Sequence, residues 1–150
     1  MRIAAALYAV FLAAALVWYR PSQATELDQM IPLELLWIET DGEMLAVEGK
    51  AVKGIGEDWK AALKDLEQTA SGTVFLETVE RVVIAEEAAD CLPQLLEDPK
   101  LRPSVQLYLL RGDATEKLEA FTSAHPSEAV ADDPKGIPII LEEEGRYRIG

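Results

Sequence analysis

The sequence is poor in the residues that do chemistry: it holds one cysteine, Cys91, and one histidine, His125. A single thiol excludes an internal disulfide and a cysteine-based zinc site, and a single imidazole leaves almost no material for a histidine metal site or general base. Positive charge is scarce too, with fourteen Lys and Arg against twenty-seven Asp and Glu and a formal net charge of −13. Two of the positives, Arg2 and Arg20, flank an apolar N-terminal run, so the part after Thr25 holds twelve basic against twenty-seven acidic residues, a balance of −15. Such a surface repels phosphate backbones and anionic lipid heads, which argues against nucleic-acid binding. Gly54-Ile55-Gly56 lacks both the GxGxxG pattern and a Walker lysine, and Glu57-Asp58 would repel an anion, so it reads as a strand-to-helix turn. The carboxylate clusters Glu86-Glu87, Asp132-Asp133 and Glu142-Glu143-Glu144 lack EF-hand spacing and its central glycine, and read as solvated faces. Internal repeats and low-complexity segments are absent as well. No nucleophile with a paired base is in sight, so neither an enzyme nor a metal or other cofactor is expected.

What is present suits one globular domain: 150 residues, 49% apolar and 27% charged. From Ile3 to Tyr19 the chain runs without a charge. As a helix at about 1.5 Å per residue it would reach roughly 25 Å, short of the ~30 Å hydrocarbon core yet long for a signal-peptide apolar region of about 7 to 15 residues. Trp18, Tyr19 and Arg20 resemble an interfacial belt and favour an anchor. Ser22-Gln23-Ala24 has the small-residue spacing a signal peptidase accepts and would release a chain beginning at Thr25. Both outcomes place the acidic body on the extracytoplasmic side.

The expected fold class is α/β, a mixed sheet with a βαβ crossover and hairpins, preceded by one N-terminal transmembrane or signal helix. Residues 1–24 form the anchor or signal and residues 25–150 a single domain. Leu33 to Thr40 and Glu43 to about Val52, joined by Asp41-Gly42, predict a hairpin with a type I′ turn. Trp59, Ala62, Leu63 and Leu66 recur at i, i+3, i+4, i+7 and predict a helix reaching about Thr69, with Glu57-Asp58 in its first turn. Thr73 to Leu76 and Arg81 to Ala85 are β-branched runs with strand propensity. Glu86-Glu87 opens a helical stretch that Pro93 should break, placing that proline in the first turn of a second short helix. Ser104 to Leu110 is the next strand, and the strand-helix-strand order makes it parallel to Arg81–Ala85 through a right-handed crossover. Asp113 and Glu116 have capping-box spacing for a helix from Ala114 to about Ser123 that buries Leu118 and Phe121. His125 to Gly136 reads as a surface loop, and Ile137 to Leu141 with Arg146 to Ile149 as a terminal hairpin around Glu143-Glu144-Gly145.

This order of residues resembles the N-terminal domain of the spore-germination receptor C-subunit family, the Ger(x)C proteins of endospore-forming bacteria. The resemblance runs through Glu26-Leu27-Asp28, the Leu35 to Asp41 strand and Gly56 to Leu66. It continues through Arg81 to Ala88, Leu101 to Ala114, and Gly136-Ile137-Pro138-Ile139, covering most of residues 26 to 150. It implies a non-catalytic subunit on the outer face of the spore inner membrane, assembled with integral-membrane receptor subunits that sense nutrients. Members of that family carry a lipid on a cysteine after the signal sequence and continue through two further domains. Here the only cysteine is Cys91, and the Ile3 to Tyr19 helix would take over as the membrane attachment. Under this reading the face near the Glu86 to Pro103 crossover meets the partner, with Glu86, Glu87, Leu101 and Arg102 as candidate contacts. Trp37 is read as core on its strand, with an outward-facing anchor at an interface kept as the alternative. Cys91 reads as a buried core thiol, Trp59 as core, and His125 as exposed and unpartnered. The rival function is a secreted or anchored small-ligand-binding module unrelated to spores.

Overall fold

Alternation and helical periodicity resolve into two layers of packing around one sheet. The computed structural model describes residues 30–150, within which Ile31–Gly150 forms one compact unit. The strands are β1 (Met30–Pro32), β2 (Leu35–Asp41), β3 (Met44–Glu48), β4 (Lys53–Gly56), β5 (Thr73–Phe75), β6 (Arg81–Ala85), β7 (Gln106–Arg111), β8 (Ile139–Glu143) and β9 (Arg146–Ile149). The α-helices among the described residues are α1 (Trp59–Thr69), α2 (Leu92–Glu97) and α3 (Lys117–Ala124). Seven strands make one mixed sheet in the order β4-β3-β2-β6-β7-β8-β9, and β1 pairs with β5 apart from it. β2, β6, β7 and β8 run parallel at the centre, with antiparallel hairpin partners outside. The fold class is thus the expected mixed α/β sheet, and β6 and β7 are the expected parallel pair. The proposed helix at Ile3 to Tyr19 lies outside the described residues.

The two faces of the sheet carry separate cores. On one, Leu36, Ile38, Leu45, Val47, Val82, Ile84 and Leu107 pack against Trp59, Ala62, Leu63 and Leu66 of α1, Cys91 and Leu95. On the other, Trp37, Val83, Tyr108, Leu110 and Ile140 pack against Leu118, with Leu35, Phe121 and Tyr147 at the margin. The α1 stripe is buried as its spacing demands, and Asp58 caps the helix by accepting the Ala61 N–H at 2.8 Å. The Pro93 break is also present: Glu86–Cys91 forms 3-10 turns, and α2 then begins with Pro93 in its first turn.

Three local expectations are corrected. The β2-β3 turn is built on Gly42-Glu43, because Asp41 pairs with Met44; only Gly42 has positive φ (64°), the pattern of a type II′ turn. The type I′ pattern appears instead at Glu144-Gly145, where φ is 53° and 75°. Gly54-Ile55-Gly56 is not a turn but the body of β4, a strand whose glycines let α1 lie directly on the backbone. Finally, α3 starts at Lys117, later than the Asp113 spacing suggested, and Asp113 does not cap it. Instead the Tyr147 hydroxyl donates to the Asp113 carbonyl at 2.8 Å and accepts the Thr115 N–H at 2.7 Å, tying residues 113–115 to β9 outside the helix.

Candidate functional site: an acidic groove beside Trp37

Strand alternation places Leu36 and Ile38 of β2 in the α1 core, which sends Leu35, Trp37 and Glu39 to the opposite face. Trp37 lies directly across from Glu48 of β3, so the two side chains share that face. The helix on this side, α3, covers the β6 to β8 half of the sheet. Between its approach and the β2-β3 hairpin lies a groove of about 810 Å³. Leu35, Trp37 and Leu118 supply its apolar lining, with Pro32 beside them, while Glu34, Glu39, Glu48, Asp113, Glu116 and Glu119 line it with carboxylates. Lys50, after the end of β3, is the one basic lining residue.

The groove's α3 wall is fixed by a buried cation. Arg81, at the start of β6, is 7% exposed; its Nη1 donates to the Glu119 carbonyl at 3.0 Å and to Thr122 Oγ1 at 3.2 Å. Its Nη2 stands 4.0 Å from the exposed Glu34 carboxylate, a contact weakened by solvent. Tyr108 completes this layer, its hydroxyl 2.8 Å from the His125 carbonyl and 3.2 Å from that of Thr122, and burial pushes its phenol above the usual range. The arrangement can hold a cation and an apolar group side by side. Among the described residues, no group of three or more His, Cys, Asp or Glu side chains is placed to bind a metal ion.

The residues singled out in the sequence do not converge on one patch. Trp37 is 9% exposed and belongs to the core, as its first reading has it: it packs with Val83 and Tyr108, and it also lies in the lining of the groove. Glu86 and Glu87 follow the C-terminal end of β6, where Glu86 accepts from Arg111 at 2.8 and 2.9 Å. That hydrogen-bonded pair lowers the Glu86 pKa and raises that of Arg111. Leu101 is 7% exposed and belongs to the core, which removes it as a partner contact. Arg102 is exposed near the N-terminal end of β7, at the opposite end of the parallel pair from Glu86, with Nη2 3.4 Å from the Val79 carbonyl.

Cys91 is buried as expected, and desolvation raises its thiol pKa to about 11. Trp59 is core and donates from Nε1 to Asp98 Oδ2 at 2.9 Å. His125 is exposed but not unpartnered: its ring stacks on Phe121 at 4.3 Å, and Nδ1 lies 2.9 Å from the Phe121 carbonyl. The groove carboxylates Glu34, Glu39, Glu48 and Glu119 carry no signal in the sequence because they are single residues far apart along the chain. The readable clue was the i, i+2 spacing of Leu35, Trp37 and Glu39 on one strand.

Comparison with family models, curated protein sequences and solved structures finds no match to this chain. Among the described residues, no helix is long and apolar enough to cross a membrane.

Proposed function

We propose that the chain is a non-catalytic, membrane-anchored extracytoplasmic module of the germination-receptor type, which acts by assembling with integral-membrane receptor subunits. The groove beside Trp37 is the observation that carries this reading. It offers an apolar floor and a ring of carboxylates, the means of recognising a partner. The Ile3 to Tyr19 run supplies the anchor and the family-like order of residues supplies the receptor context. The partner surface moves from the crossover to the groove, because Leu101 is inside the core and Glu86 is occupied by Arg111.

A small-ligand-binding module is the second reading. The groove volume favours it, since about 810 Å³ falls within the roughly 300–1,000 Å³ range of ligand pockets. Membrane fractionation and affinity capture from sporulating cells separate the two. The proposal expects the protein to sediment with membranes, to resist alkaline carbonate, and to bring down integral-membrane receptor subunits. Recovery as a soluble exported chain beginning at Thr25 removes the anchor, and capture without receptor subunits removes the assembly role.

A further inference from the structure

We infer that the groove beside Trp37 is a docking site for a basic peptide segment, one in which a lysine or arginine lies next to an apolar side chain. This inference rests on the binding-module reading and states what the module binds. Charge complementarity selects the occupant. Glu39 and Glu48 rise from neighbouring strands on the face of Trp37, and Glu116 and Glu119 come from the α3 side, so carboxylates flank the apolar floor from two directions. Neutral apolar ligands would leave those groups desolvated and unpaired, and an acidic segment would be repelled. A lysine or arginine answers both parts of the surface: its methylene stem covers Leu35 and Trp37 while its head reaches the carboxylates. A bare polyamine carries comparable charge but has no apolar side chain for the floor, so the combination favours a peptide.

The test uses the full-length chain in detergent micelles and three probes measured by calorimetry. The probes are a blocked five-residue peptide alternating lysine and leucine, its glutamate-leucine counterpart, and spermidine. The basic peptide is expected to bind, to weaken steeply as salt is raised, and to shift the Trp37 indole N–H resonance; the acidic peptide is expected not to bind. E39Q combined with E48Q should weaken the basic peptide by about tenfold or more, whereas E87Q combined with E128Q, equal in charge but remote, should change it less than about twofold. Equal weakening by both pairs would mean that the general acidity of the surface attracts the peptide, and would overturn the inference. Spermidine binding as tightly as the peptide would overturn it in favour of a small polycation, and so would an unmoved Trp37 resonance. Loss of peptide binding leaves the anchoring and receptor-capture results standing, and failed capture beside intact peptide binding removes only the receptor as the source of the segment.

Discussion

Gly54 and Gly56 set the distance between α1 and the sheet. A Cβ built on Gly54 would stand 2.2 Å from the Ala62 carbonyl oxygen, and one on Gly56 would stand 2.3 Å from the Ala62 nitrogen. Both obstacles are backbone, so the helix as a whole must move, and Gly56→Ala is expected to destabilise the fold by about 1–3 kcal/mol or more. The midpoint of urea unfolding checks this, and a wild-type midpoint would show that the helix slides away at little cost. The sequence announced the helix, since Trp59, Ala62, Leu63 and Leu66 are an unbroken periodic stripe. It could not announce the glycines' role, because a short Gly-Ile-Gly run fits a turn equally well until a helix is laid over it. Cys91 gives a second prediction at this scale. Its pKa rises from 9.0 to about 11 because the thiol is buried, so the folded state holds the proton more tightly than the unfolded one. The resulting stabilisation is complete below pH 9 and is lost as pH climbs through about 11. Alkaline unfolding of Cys91→Ala should accordingly show a shallower slope in that window than the parent, although cavity formation lowers its stability at neutral pH. Identical slopes for the two proteins would refute the assignment.

At the scale of elements, the outer edge of β4 shows how the sheet is closed to further strands. The Ile55 N–H, which faces away from β3, donates to Asp65 Oδ2 at 2.8 Å, and the Lys53 carbonyl accepts the Thr69 hydroxyl at 3.0 Å. Two side chains of α1 thus occupy backbone groups that would otherwise recruit another chain. Asp65→Ala with Thr69→Val should cost about 1 kcal/mol per lost bond and raise self-association, read by sedimentation velocity. A variant that stays at the parent's association state would show that the Lys53 side chain and the helix body protect the edge unaided. This contrast also explains which elements were legible. β6, the Pro93 break and the terminal hairpin follow from local composition, since β-branched runs, a missing amide and turn residues act within a few positions. The start of α3 and the β2-β3 turn were misplaced because distant contacts decide them: Tyr147 of β9 holds residues 113–115 out of the helix, and the register of β3 selects Gly42-Glu43. The groove lay further out of reach, since Glu39, Glu48 and Glu116 meet only after the hairpin forms and α3 docks. Of the groove residues, only Trp37 reads from the sequence as a possible contact; Asp113 and Glu116 read as a helix cap and Leu118 as core.

For the molecule as a whole, connectivity and charge pull on the same sheet in different ways. The steps β6 to β7 and β7 to β8 move in one direction across it, yet α2 packs on one face and α3 on the other, so these two crossovers have opposite hands. One of them departs from the usual right-handed rule, and a pattern of strands and helices read in sequence could not reveal it. Charge acts on every element at once. The chain carries −13, and among the described residues four ion pairs set the basic side chains Arg81, Lys100, Arg111 and Arg148 against it. Each of these pairs has at least one solvent-exposed partner and contributes little, whereas mutual repulsion among many carboxylates grows with net charge. Salt weakens both effects, and the larger one decides the sign. Raising sodium chloride should therefore raise the melting temperature. Most of the gain should come as the screening length falls from ~30 Å at 0.01 M to ~10 Å at 0.1 M, beyond which the curve flattens. A steady rise that persists to molar salt would instead indicate strengthened apolar burial, and a fall would mean that the four pairs outweigh the repulsion. Calorimetric melts across that range, compared with E87Q/E128Q, distinguish these outcomes, because removing two charges should reproduce part of the low-salt gain without any added salt.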